Sequence, residues 1–227
     1  PRPHSIDSVR QFRFEGQTRS YWSASTSELE TRRHELIFST EFESGDQFRI
    51  SMKDEFEMLT QAFRISPKVK LDPDDYDFTS YQTSYRLGPQ RKYSGQLSYR
   101  FGDFWNGTNS AIGLSGGSIE VSPQLSLEPS YSFNRIELPE GNFRTELSRV
   151  RVTYTISPRM YFSGLVQYNS TQNSASSNFR FRWEWAPGSE LFVVYSDDRD
   201  TNPLDRPDSF ELRNRGWAIK LNRLFQI

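Results

Sequence analysis

From Asn178 to Trp185 the chain alternates without a break: Phe179, Phe181, Trp183 and Trp185 interleave with Asn178, Arg180, Arg182 and Glu184. Successive side chains of an extended strand point to opposite faces, so this segment has one aromatic and one charged face, whereas a helix would scatter both sets. The same split separates Val150, Val152, Tyr154 and Ile156 from Arg149, Arg151, Thr153 and Thr155. It separates Leu125, Leu127, Tyr131 and Phe133 from Ser126, Glu128, Ser130 and Ser132. A chain written this way forms antiparallel sheet with one apolar and one wet face. What covers the apolar face then decides the kind of protein.

Composition narrows that choice. Hydrophobic residues make up 34% of the 227, a low share that would suit a loosely packed chain, yet 15% are aromatic, which a disordered chain does not carry. A transmembrane barrel reconciles the two, because only alternate residues meet lipid while the others face a polar lumen. The net charge of -1 leaves no basic field for nucleic acid. With no cysteine, thiol catalysis, Cys-ligated zinc and disulfide staples are all excluded. No apolar run approaches the roughly 20 residues a membrane helix needs. The first residue is Pro1, and no signal-peptide core follows it, so the chain reads as mature or excised from something longer.

Alternation and turn residues predict strands near 8–16, 31–43, 47–54, 75–87, 92–102, 109–121, 124–136, 143–156, 159–169, 177–186, 190–196 and 214–227. Residues 1–7 form a linker or tail, and 8–227 one barrel domain. The connections alternate in length. Ser44 to Asp46, Gly88 to Arg91, Ser122–Pro123, Ser157–Pro158 and Pro187 to Glu190 are short; Gln17 to Glu30, Glu55 to Asp74 and Asp197 to Arg213 are long. Asp103 to Thr108, Ile136 to Gly141 and Ser170 to Ser176 are of medium length. Outer-membrane barrels have short periplasmic turns and longer extracellular loops. The expected fold is therefore all-β: an up-and-down antiparallel transmembrane barrel of about twelve strands with both ends periplasmic. Two segments break the pattern, residues 76–87, where the apolar phase changes between Phe78 and Tyr81, and 109–121, at Gly116 and Gly117. Each reads as a bulge or a bend.

The last third of the chain resembles a known bacterial family. The residues that carry the likeness are Leu165-Val166-Gln167-Tyr168-Asn169-Ser170, Asn178-Phe179-Arg180-Phe181-Arg182-Trp183, Pro187-Gly188-Ser189-Glu190-Leu191-Phe192-Val193-Val194-Tyr195 and Lys220-Leu221-Asn222-Arg223-Leu224-Phe225. Glu137-Leu138-Pro139-Glu140-Gly141 and Ser157-Pro158-Arg159-Met160 are similar to the same pattern. Members of that family join an N-terminal carbohydrate-binding module of the family-nine type to a C-terminal barrel domain of unknown function. The likeness implies a bacterial outer-membrane location and contact with lipid and lipopolysaccharide. It further implies recognition by the barrel assembly machinery through the C-terminal strand, a missing N-terminal module, and contacts with other outer-membrane or periplasmic proteins. It supplies no catalytic residues. The chain ends in Ile227, where many such barrels end in Phe, although Phe225 and Ile227 keep the phase of Trp217, Ile219 and Leu221.

Candidate sites follow from the alternation. Arg149, Arg151, Arg180, Arg182 and Glu184 are expected to line a lumen, either selecting anionic or sugar-like solutes or pairing with neighbours in a charge ladder that fills it. Phe179, Phe181, Trp183, Val150, Val152 and Tyr154 are expected to face lipid. The carboxylates from Asp197 and Asp198 through Asp205 and Asp208 match no metal-loop spacing and read as a solvated loop. Tyr21, Trp22, Phe104 and Trp105 fit an interfacial aromatic girdle better than a sugar platform. Only His4 and His34 could serve as an imidazole base, and no serine stands at a telling distance from either, so no catalysis, cofactor or metal is expected. Gly113, Gly116 and Gly117 lack the spacing of a phosphate loop. The function expected is a small-solute pore, or a membrane scaffold for the missing carbohydrate-binding module; the alternative is a soluble or surface-attached all-β domain that binds glycans.

Overall fold

Twelve strands run antiparallel in chain order through one sheet, described in a computed structural model over residues 6–202 and 210–225. They are β1 (Val9–Trp22), β2 (Leu29–Phe42), β3 (Gln47–Met58), β6 (Asp75–Leu87), β7 (Tyr93–Phe104), β8 (Gly107–Ser122), β9 (Leu125–Leu138), β10 (Gly141–Ser157), β11 (Met160–Asn169), β12 (Ser174–Ala186), β13 (Ser189–Asp200) and β14 (Glu211–Asn222). Strands β4 (Phe63–Ser66) and β5 (Val69–Leu71) form a separate two-stranded hairpin within the connection from β3 to β6. No helix occurs among the described residues. The sheet is open, with β1 and β14 as its edges.

The strands run longer than alternation predicts, and this reshapes the connections. β1 continues through Gln17 to Trp22, β13 continues to Asp200, and β14 begins at Glu211. The segments expected as medium loops, Asp103 to Thr108 and Ile136 to Gly141, shrink to the turns Trp105–Asn106 and Pro139–Glu140, as tight as Pro187–Gly188 at the opposite end. Length therefore separates the two ends clearly at residues 59–74 and 201–210 and only slightly at residues 23–28. Hairpin strands keep pairing as long as both sides offer cross-strand partners, and polar residues such as Thr18, Ser20 and Asp198 find them.

The chain divides into two compact units. The first comprises Pro1–Arg91, Gly95–Gly113 and Phe133–Arg144; the second comprises Lys92–Ser94, Leu114–Ser132 and Thr145–Ile227. In the first unit Phe14, Phe38 and Ile50 are successive register partners, as are Gly16, Leu36, Met52, Tyr81 and Phe101. In the second unit Tyr154, Phe162, Phe181, Val193 and Ile219 form one such row, and Gly164, Phe179, Tyr195 and Trp217 the next. Each row lies on one face of its sheet, because partnered residues share a side.

The phase change in β6 is neither a bulge nor a bend. Pairing with β3 runs from Gln47↔Arg86 to Met58↔Asp75 without a shift. Tyr81 and Tyr85 lie on the exposed apolar face, whereas Tyr76 and Phe78 lie on the opposite face and are buried. They are buried because the β4–β5 hairpin folds onto that face, bringing Val69 and Leu71 into a core with Tyr76, Phe78, Ile136 and Leu138. Gly116 does mark an irregularity, with φ of 57°, a left-handed value glycine adopts at little cost.

Candidate functional site

The apolar face is exposed in both units. Phe14 is 70% exposed and Leu36 62% in the first unit; Trp217 is 67% exposed and Ile219 71% in the second. Side chains of this size, contiguous over neighbouring strands, form an apolar patch well beyond what a water-soluble monomer normally leaves uncovered. The expected lipid-facing residues all belong to this face: Val150 pairs with Val166, Val152 with Gly164, Tyr154 with Phe162, Phe181 with Val193 and Trp183 with Leu191. Stacked rings continue across the strands, with Phe162 to Phe179 at 5.9 Å and Phe179 to Tyr195 at 6.2 Å between centroids.

Beyond the apolar rows, towards the end that carries residues 59–74 and 201–210, the same face turns polar. In the first unit the row Thr18, His34, Asp54 and Thr79 crosses four strands. Thr18 Oγ1 lies 3.1 Å from His34 Nδ1, and Arg32 stands 3.3 Å from Asp77 and over the Phe56 ring. Asp54 accepts from the Thr79 hydroxyl at 3.3 Å and faces Arg32 at 3.8 Å. A hydroxyl and an imidazole are thus adjacent, while the neighbouring Asp54 carboxylate is engaged by Thr79 and Arg32. In the second unit Asp197 binds Arg199 at 2.7 Å, Arg215 at 3.2 Å and the Tyr195 hydroxyl at 3.1 Å, and in the opposite phase of β13 Asp200 lies 2.6 Å from Arg213. Of the carboxylates expected in a solvated loop, Asp197, Asp198 and Asp200 are strand residues, and Asp197 and Asp200 are in ion pairs; Asp205, Asp208 and His4 lie outside the described residues, as does Ile227.

The polar face is a cross-strand ladder. In the first unit Arg33 Nε binds Glu55 at 2.7 Å, Thr31 donates to Glu57 at 2.9 Å, Arg100 donates to Gln82 at 3.0 Å and Arg86 to Gln96 at 2.6 Å. In the second, Arg182 binds Glu190 at 2.8 Å and approaches Glu184 at 3.8 Å, Arg180 donates to Asn178 at 2.9 Å, and Arg151 stands 3.9 Å from Glu128 with both half exposed. Arg149, opposite Gln167, makes no ion pair among the described residues. Arg149, Arg151, Arg180, Arg182 and Glu184 thus share a face as alternation predicts, but pairing is uneven. Arg182 and Glu184 are braced, whereas Arg149 and Arg151 remain open to solvent.

Phe104 and Trp105 depart from the expected girdle. Trp105 packs edge-on against Tyr76 at 5.3 Å and lies 5.6 Å from Phe78 and 6.0 Å from Phe63, so it belongs to the core beneath the hairpin. Its φ of 55° is a left-handed conformation that a bulky residue adopts only at a cost of about 1–3 kcal/mol. Ring burial offsets that strain. The hairpin core escaped sequence reasoning because four-residue and three-residue strands are too short to show a period. The displaced phase of Tyr76 and Phe78 was its signal.

At the tight-turn end of the first unit one carboxylate joins two hairpins. Asp46 Oδ1 accepts the Gly88 N–H at 2.8 Å, and Oδ2 accepts from the Tyr85 hydroxyl at 3.1 Å and from Arg91 at 2.7 Å. These bonds hold the Asp46 carboxyl below its ordinary range, the Gly88 N–H contributing most and partial burial opposing it.

Comparison with family models, curated proteins and solved structures finds no match for this chain.

Proposed function

We propose that this chain is a bacterial outer-membrane β-barrel, closed by pairing of β1 with β14, that passes small polar solutes along its polar face. An even strand number in up-and-down order leaves β1 and β14 antiparallel, as closure requires. The observation that carries the reading is the separation of faces: exposed aromatic and aliphatic rows on one side, a charged hydrogen-bonded ladder on the other. A surrounding apolar medium makes the first favourable and a wet interior the second. Along β12 the apolar side runs from Trp185 to Phe179, about 20 Å along the strand at 3.4 Å per residue, and gives way to the polar Ser177 beyond it, so this strand is apolar over much of a lipid-facing band about 25 Å tall. The ionic rows beyond it fall where lipid headgroups and lipopolysaccharide begin.

In this arrangement both chain ends and the turns of Asp46, Gly88, Pro123, Pro158 and Pro187 lie in the periplasm. The β4–β5 hairpin, seated on the polar face, narrows the passage. The resemblance of the last third of the chain to barrel domains that follow a carbohydrate-binding module supports the same location. The test is insertion of the full chain into planar bilayers. Stepwise conductance supports a pore. Membrane insertion without conductance supports a scaffold whose hairpin and ladder fill the interior. A chain that stays monomeric in plain buffer rules out both and favours a soluble glycan-binding domain.

A further inference from the structure

On the polar face of the first unit, beside the core beneath the hairpin, lies a cavity of about 220 Å³ lined by Arg33, Lys53, Glu55, Glu57, Phe78, Ser80, Arg100, Asp103, Phe104, Trp105 and Asn109. The geometry points to this cavity as a binding site for a hydroxylated organic anion of single-ring size, a sugar acid in chemical class. The inference rests on the reading of the polar face as a solvent-filled lumen.

Three observations converge. First, two cations are left over. Glu55 is matched by Arg33 at 2.7 Å, and Glu57 takes the Thr31 hydroxyl at 2.9 Å, while Lys53 and Arg100 have no carboxylate within ion-pair distance among the described residues. Asp103 also lines the cavity and takes the Thr79 N–H at 3.4 Å, so cations and carboxylates around the cavity are equal in number. Lys53 and Arg100 are nevertheless the two cations of the lining with no ion pair among the described residues, and a ligand carboxylate between them would be held by charge-assisted bonds. Second, the Asn109 side-chain oxygen is shielded from solvent and has no hydrogen-bond partner among the described residues. An acceptor in that position costs stability until a donor reaches it, and a ligand hydroxyl supplies one. Third, Phe78, Phe104 and Trp105 give the cavity an aromatic wall. An anionic group, a hydroxyl and a C–H face together describe a ring acid, and neither a bare inorganic anion nor a neutral alkane meets all three.

Glucuronate is the probe, titrated calorimetrically into the full chain in detergent micelles. Saturable binding is expected, weakened about tenfold by Lys53→Met and by Arg100→Gln, each the loss of one charge-assisted contact. Asn109→Ala should weaken glucuronate more than cyclohexanecarboxylate, which brings no hydroxyl, and glucose should bind at least tenfold more weakly than glucuronate. The unaltered chain gives an independent reading, since its affinity must fall as salt screens the two cations. Absence of saturable binding overturns the site. So does binding that ignores both cation substitutions, binding insensitive to salt, or equal affinity for glucose. Conductance is recorded on the same preparations. A chain that conducts but does not bind glucuronate removes this site and leaves the pore standing; one that binds without conducting keeps the site on a filled barrel.

Discussion

Asp46 shows how one side chain fixes two turns. Its carboxylate ties the β2–β3 turn to Gly88, Tyr85 and Arg91 of the β6–β7 hairpin, joining segments 42 residues apart with three bonds. Because the folded carboxyl titrates below the unfolded value of about 3.9, its contribution is complete above that value and is lost as pH falls through the lowered folded one. The melting temperature should therefore drop as the solution is acidified below about pH 4, and Asp46→Asn should start lower at neutral pH and show a shallower drop; parallel acid profiles for the two chains would contradict this. Gly102 gives a sharper backbone test. It has φ of 134°, and a Cβ there would sit 2.6 Å from the Thr79 carbonyl oxygen on the neighbouring strand. Gly102→Ala should destabilise the fold by about 1–3 kcal/mol, read as a lower denaturation midpoint at unchanged slope. Neither role is legible in the sequence, where Asp46 is one of several turn carboxylates and Gly102 only a break in the alternation around Phe101.

The β4–β5 hairpin is the element that most changes the functional picture. Leu71 is fully buried and Val69 nearly so, in a chain whose other strands leave most large apolar side chains exposed or half-buried. Leu71→Ala should cost about 2–5 kcal/mol and raise hydrogen exchange across Phe63–Leu71. If the hairpin narrows a conduit, the same change should raise single-channel conductance; unchanged exchange would show that the hairpin does not depend on that core. The long strands were legible for a physical reason: Phe179, Phe181 and Trp183 against Arg180 and Arg182 repeat a period of two over enough residues to exclude a helix. The hairpin was not, because Val69–Leu71 offers no repeat and sits among Arg64, Lys68, Lys70 and Asp72, whose charges read as a loop. The information lay instead in Tyr76 and Phe78, apolar residues in the wrong phase, which make sense only once something apolar covers the polar face.

For the whole molecule the question is what the arginines of the second unit do, and the structure divides them. Alternation placed Arg149, Arg151, Arg180 and Arg182 on one face but could not say which find partners, since that depends on strand register: Glu190 meets Arg182 only because β12 and β13 are joined at Pro187–Gly188. Arg182, bound at 2.8 Å to Glu190 and flanked by Glu184, is a brace, and its removal strands a carboxylate. Arg149 has no ion partner among the described residues, and Arg151 sees Glu128 only at 3.9 Å in an exposed setting, where a pair contributes roughly 0–1 kcal/mol. Arg182→Ser should therefore lower the melting temperature while leaving ion selectivity near that of the unaltered chain. Arg149→Ser with Arg151→Ser should do the reverse, holding the melting temperature and moving the reversal potential in a salt gradient towards cations, by less as salt rises and screens the wall. A double variant whose reversal potential stays put while current still flows would place these arginines off the conducting path, and the polar face of β10 would then not be the wall of the pore.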